Sequence, residues 1–172
     1  MSRALLVIDM LVDFLEQEGV LYLGDVAEEV TAKVKAEIEA ARQRGEKVIY
    51  VCDRHQKDDA EFKMFPPHCL QGERGSEIIA TLQPLDGERV IPKRRYSAFF
   101  ATELDLVLRE AGVTALTLVG VCTNICVLYT AADARALNYE VRVIKDAVAS
   151  FDRSAHEFAL KEMEKTLGVE LV

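Results

Sequence analysis

Short apolar runs alternate with helix-length amphipathic segments from one end of the chain to the other. This alternation constrains the fold more than any other feature. Ala4-Leu5-Leu6-Val7-Ile8 is continuously apolar, as expected of a strand covered on both faces. Further strands are predicted over 48–51, 89–91, 116–119, 141–144 and 169–172. Helices are predicted over 25–44, 102–111, 124–137 and from 152 or 154 to 167. In the first of these, Asp25 is the expected cap, and Val26, Val30, Val34 and Ile38 recur on one face. Gly45 and Gly112 stand where two of the helices should stop. A β-α-β succession of this kind predicts one α/β domain over 1–172, with a mainly parallel sheet between two helical layers. Ligands of such sheets bind at the carboxyl ends of the strands.

Composition narrows the function. Lys and Arg number 21 against 29 Asp and Glu, a formal net charge of −8, so no basic surplus exists to neutralise nucleic acid. There is no Trp to build a base-stacking platform, and no apolar run approaches the roughly 20 residues needed to span a bilayer. Met1-Ser2-Arg3 passes straight into the first strand without the apolar region of a secretory signal, so a cytoplasmic location is expected. In that reducing compartment Cys52, Cys69, Cys122 and Cys126 are expected as thiols rather than a disulfide framework. Cys52 should be a small buried side chain.

Chemistry-bearing residues gather at the predicted strand ends. Asp9 follows the first strand, Asp53 the second, Lys93 the third, and Cys122 to Cys126 the fourth. Cys126 lies where a strand turns into a helix, where the helix dipole and free backbone N–H groups favour a thiolate. The same N–H groups can receive the oxyanion of an attacked carbonyl. Asp9 could take the thiol proton and Lys93 could stabilise the anion. The plain structural alternatives are a turn residue for Asp9, a solvated charge beside Arg94 and Arg95 for Lys93, and a buried structural pair for the cysteines.

The long polar segment from Asp53 to Gly87 holds a second constellation: Asp53-Arg54-His55, then Glu61, then Phe65-Pro66-Pro67-His68. Two imidazoles and one or two carboxylates make a mixed N/O donor set for a divalent transition metal. Pro66-Pro67 stiffens the loop that returns His68. The alternative is a pair of solvated loop histidines, with Glu61 paired to Lys57 or Lys63. The third histidine, His156, is expected on the surface of the last helix.

Taken in order, Leu6-Val7-Ile8-Asp9 with Asp13-Phe14, Asp53-x-His55 with Phe65-Pro66-Pro67-His68-Cys69, and Gly120-Val121-Cys122-Thr123-Asn124-Ile125-Cys126 resemble the isochorismatase-like cysteine hydrolases, and within them the nicotinamidases (pyrazinamidases). The resemblance runs through nearly the whole chain. It implies a six-stranded Rossmann-like sheet of order 3-2-1-4-5-6 and a triad of Cys126, Asp9 and Lys93. It implies an oxyanion hole from the N–H groups of Cys122 and Cys126, with a cis peptide at Val121-Cys122. It also implies one divalent metal per chain, zinc first and manganese or iron next, held by Asp53, His55, His68 and Glu61. Phe14, Phe65 and Tyr96 would flank the ring of a pyridine carboxamide, and nicotinamide hydrolysis would serve pyridine nucleotide salvage. Departures from the pattern are Asn124 where many relatives carry Asp, Glu61 where some carry His, and Phe65 where several carry Trp. Two rivals remain open: an amidohydrolase of the same superfamily acting on carbamoyl or ureido compounds, whose members generally lack the metal motif, and a catalytically silent small-ligand-binding module. A third, a purely structural metal clasping the long loop, is also open, as is association with further copies of the chain.

Overall fold

A computed structural model describes residues 2–172. The six strands are β1 (Arg3–Ile8), β2 (Lys47–Asp53), β3 (Arg89–Lys93), β4 (Ala115–Val121), β5 (Glu140–Ala149) and β6 (Glu170–Leu171). They form one sheet in the order β3-β2-β1-β4-β5-β6, and every pairing is parallel. The helices are α1 (Val12–Leu15), α2 (Val26–Gln43), α3 (Leu104–Glu110), α4 (Leu128–Ala136) and α5 (Arg153–Lys165). The layering is that predicted from the β-α-β succession, and the strand order is that implied by the resemblance.

Alternation along β1 splits the core into two layers. Leu5 and Val7 pack with Val30, Val34 and Ile38 of α2, whereas Ala4, Leu6 and Ile8 pack with α3, α4 and α5 through Leu108, Ala131 and Met163. Cys52 is buried in the α2 layer, as expected.

Local differences have local causes. Asp25 precedes α2 in helical conformation, and its side chain makes no capping bond, so α2 begins without one. Asp152 does cap α5, accepting from the Ala155 N–H at 2.8 Å. The third helix starts at Leu104 rather than 102, and Thr102 accepts the Leu104 N–H at 3.2 Å. The segment after β4 opens as a π-helical turn, Thr123–Val127, before α4 begins. β5 runs five residues beyond the predicted 144, because after a register shift its second half pairs with Gly120 and Val121 of β4. α1 is a single buried turn that no periodicity announced.

Gly120 sets the spacing of the two central strands. Its φ is +114°, and a Cβ there would collide with the backbone of Ile8, its partner in the adjacent strand. Only glycine lets β4 approach β1 this closely just before the ends that carry Asp9 and Cys122.

Candidate active site

Parallel register brings the strand ends to one edge. Asp53 and Lys93 are direct register partners in β2 and β3, and Asp9 sits just beyond β1, its N–H donating to the Val51 carbonyl at 2.9 Å. Asp9 adopts a positive φ of 50°, which turns its carboxylate across the end of β2, where Oδ1 accepts the Asp53 N–H at 2.8 Å. Lys93, with only 1% of its surface exposed, is the hub. Its Nζ donates to Asp53 Oδ1 at 2.5 Å, to the Arg95 carbonyl at 3.0 Å and to Cys126 Sγ at 3.2 Å. Asp9 Oδ2 lies 2.9 Å from the same ammonium, an ion pair by distance whose angle falls outside hydrogen-bond geometry.

These contacts set the charges. Burial, then the neighbouring Asp53, raises the Asp9 pKa to about 6 against the pull of Lys93. For Asp53 the burial penalty is outweighed by Lys93 and by the two nearby imidazoles, so its carboxyl stays far below the usual range. Lys93 is held protonated by its two carboxylates despite complete burial. The Cys126 thiol is pushed up, first by burial and then by Asp9 and Asp53, against the pull of Lys93. Burial thus opposes the thiolate that the start of a helix favours, and a base such as Asp9 is needed to take the proton. One ligand atom each from Asp9, Asp53 and Cys126 lies within 4.8 Å of the others, so the carboxylate stands close enough to take the thiol proton. Cys126 is also the fourth residue of a π-helical turn, which separates it from the first N–H groups of a regular helix.

The turn bearing Cys126 is pinned from outside. Thr123, fully buried, shares a hydrogen bond of 2.7 Å with His156 Nδ1, and Ser150 donates to Asn124. His156 is half-buried against the turn rather than a free surface residue as expected. The Val121-Cys122 peptide is cis, and none of the hydrogen bonds among the described residues is donated by the Cys122 N–H.

Beside this group lies the second one. Asp53 Oδ2 is 3.5 Å from His55 Nε2 and 3.7 Å from His68 Nε2, and all three atoms lie within 4.8 Å of one another. Donors bonded to one cation at about 2.0–2.2 Å stand roughly 3–4 Å apart, so this spacing fits a metal. The far nitrogens are engaged: His55 Nδ1 is 3.0 Å from Asp59 Oδ2 and His68 Nδ1 is 2.8 Å from the Pro66 carbonyl. That leaves both Nε2 atoms turned inward, and His55 Nε2 is buried with no hydrogen-bond partner. Glu61 Oε1 stands 3.9 Å from His55 Nε2, at the edge of the group, and pairs with neither Lys57 nor Lys63. Asp53 thus faces Lys93 with one oxygen and the imidazoles with the other.

Between the two groups opens a narrow pocket lined by Phe14, Phe65, His68, Tyr96, Ile125 and Cys126 among others. Phe14 and Phe65 meet the His68 ring edge-on at 5.9 and 6.1 Å, and Tyr96 meets Phe65 at 6.4 Å. A larger cleft lies outside the Lys93 loop, where Arg54, Arg94, Arg95 and Phe100 form its walls; neither Asp9, Cys126 nor the imidazole of His68 reaches it. Sequence reasoning missed Ile125 and Phe151 as pocket walls, although Phe151 follows a strand end as the others do. It also missed Asp59, whose spacing of four residues from His55 was the available signal.

An all-parallel sheet of order 3-2-1-4-5-6 with an acid, an amine and a thiol converging at its carboxyl edge has the architecture of the isochorismatase-like hydrolases. Residues 3–171 match the isochorismatase domain, and the chain belongs to the isochorismatase family. It is similar to the crystal structure of nicotinamidase/pyrazinamidase PncA from Bacillus subtilis, 34% identical over all of both chains with a TM-score of 0.94. It is similar to the pyrazinamidase of Pyrococcus horikoshii in complex with zinc, 30% identical over 100% of this chain and 99% of that one, TM-score 0.93. N-carbamoylsarcosine amidase from Thermoplasma acidophilum is 35% identical over 99% of this chain and 95% of the other, TM-score 0.91. No helix among the described residues is long and apolar enough to cross a membrane.

Proposed function

We propose that this protein hydrolyses the carboxamide of a pyridine-type ring, nicotinamide first and pyrazinamide with it, through a thioester on Cys126. The observation that carries the reading is the buried Lys93 ammonium, 2.9 Å from Asp9 Oδ2 and 3.2 Å from Cys126 Sγ. A thiol and a carboxylate that share one fixed cation can exchange a proton without leaving an uncompensated charge in the pocket.

Asp9 accepts the Cys126 proton, and the sulfur attacks the amide carbon. The tetrahedral oxyanion is received by the N–H groups of Cys122 and Cys126, each such donor contributing roughly 10²–10³ in rate. Asp9 returns its proton to the departing ammonia, and water, with Asp9 again as base, cleaves the thioester. Lys93 stays charged throughout and keeps Asp9 and the sulfur in register. Phe14, Phe65 and Tyr96 supply flat apolar walls suited to an aromatic ring. A divalent transition metal at Asp53, His55 and His68, with Glu61 at its edge, would supply a Lewis-acid anchor for a ring nitrogen. Zinc is the metal this donor set suits best.

The test is ammonia release from nicotinamide and pyrazinamide by wild type and Cys126→Ala, with metal content measured on the same preparations. Wild type is expected to turn over the ring amides and the variant to release none while keeping its fold. Ammonia from Cys126→Ala at a rate near wild type would overturn the reading. The likeness to N-carbamoylsarcosine amidase favours a second reading, N-carbamoyl hydrolysis. That reading requires turnover of N-carbamoyl amino acids that survives removal of metal.

A further inference from the structure

Asp59 is the most heavily engaged carboxylate in the molecule, and neither the nucleophile group nor the substrate pocket uses it. Its side chain is fully buried. Its two oxygens divide the work. Oδ1 accepts the Glu61 N–H at 3.0 Å and Arg95 Nη1 at 3.0 Å, while Oδ2 meets His55 Nδ1 at 3.0 Å and Arg94 at 3.1 Å (Nε) and 3.0 Å (Nη2). Both arginines are about half exposed on the wall of the outer cleft. Capping the short 3₁₀ turn Ala60–Lys63 needs only one oxygen, so the second has another purpose.

From this geometry we propose that Asp59 is a positioning residue for the metal group: it accepts the His55 Nδ1–H, fixes that tautomer, and holds Nε2 toward Asp53 and His68. The inference rests on the reading of Asp53, His55 and His68 as metal ligands. His68 reaches the same orientation by donating to the Pro66 carbonyl. A carboxylate does more than a carbonyl, because its charge also makes the imidazole a stronger ligand. A fully buried anion is tolerated only when compensated, and Arg94 and Arg95 provide the compensation. They follow Lys93 directly in sequence, so one short segment carries both the amine of the nucleophile group and the clamp on the metal group. Asp59 thereby ties the loop after β2 to the loop after β3.

The experiment measures zinc affinity by competition with a chromophoric chelator for wild type, Asp59→Asn, His55→Ala and the double variant. Asp59→Asn preserves shape but removes the charge. Zinc binding is expected to weaken 10–100-fold in the wild-type background, the range usual for such outer partners. In the His55→Ala background the same substitution should change affinity less than about threefold, because the imidazole it acts through is gone. Equal weakening in both backgrounds would mean that Asp59 only supports the fold, and an Asp59→Asn affinity within twofold of wild type would also overturn the proposal. A wild-type chain that binds no zinc at all overturns the metal reading first, and this inference with it. Should Asp59→Asn not fold, ¹⁵N NMR of histidine in metal-free wild type at alkaline pH decides: His55 is expected protonated on Nδ1, and protonation on Nε2 refutes the assignment.

Discussion

Replacing Lys93 by Met removes the charge at the hub while keeping the length of the side chain. The ammonium contacts Asp53 Oδ1 at 2.5 Å, Asp9 Oδ2 at 2.9 Å and Cys126 Sγ at 3.2 Å, with 1% of the residue exposed. Removing one partner of such a buried ion pair costs about 3–5 kcal/mol, because the remaining charges lose their compensation. At roughly 2–4 °C per kcal/mol for a chain of this size, the melting temperature should fall by about 6–20 °C. The loss should also depend on pH, with a defined sign. Asp9 already titrates at about 6, raised by burial and Asp53 and opposed by Lys93. Without Lys93 the opposition disappears and the carboxylate pair takes up a proton more readily. The folded form then binds that proton more tightly than the unfolded chain does, where Asp titrates near 3.9. Stability is therefore greater on the acid side and declines as pH rises through the folded-state value. Urea unfolding of metal-stripped wild type and Lys93→Met at pH 5 and pH 8 measures this directly. The deficit should be larger at pH 8. A deficit below about 1 kcal/mol, or one equal at both pH values, would refute the account of Lys93 as the compensating charge.

Three further outcomes rest on individual contacts. Amide hydrolysis should show an acid limb: kcat/KM rises as pH increases through about 6, where Asp9 ionises and becomes able to accept the thiol proton, and a flat profile between pH 5 and 8 would exclude Asp9 as the base. Gly75→Ala should push the Asp13 carboxylate from its seat, since that carboxylate occupies the space of the new Cβ; it now accepts the Cys69 N–H at 2.7 Å beside His68. Loss of that buried bond should cost about 1–3 kcal/mol in denaturant unfolding and weaken zinc binding together with it. Gly120→Ala should be harsher, because strain at φ +114° and overlap with the Ile8 backbone act together. Each contributes about 1–3 kcal/mol, and a thermal shift of less than about 5 °C would show that β1 and β4 can separate there.

How much of the fold and site is legible in the sequence depends on whether a residue's position follows from chain-local pattern. The apolar runs of β1, β2 and β4 mark their own ends, and Asp9, Asp53, Lys93 and Cys126 stand at or just after strand ends. Parallel pairing then forces neighbours together, since Asp53 and Lys93, 40 residues apart in sequence, become register partners once β2 and β3 align. The resemblance to known hydrolases adds the strand order and the donor set, which spacing alone leaves among several alternatives. The electrostatics around Cys126 are only partly legible in the sequence, for a physical reason. A helix start is visible in the sequence, but the depth of the pocket and the second carboxylate, both of which push the thiol up, are not.

Asp59 marks the limit of local pattern more sharply. Arg94 and Arg95 read as surface charges because about half of each side chain is in solvent; only the Asp59 they reach is buried. That contact spans 35 and 36 residues between two irregular loops, and neither loop has a periodicity from which its path could be drawn. What the sequence does offer is a count of partners. Asp53 needs one oxygen for Lys93 and one for the imidazoles, so it cannot also orient His55, and some other acceptor must satisfy Nδ1. An acid four residues after His55, at the start of a tight turn, is the nearest candidate.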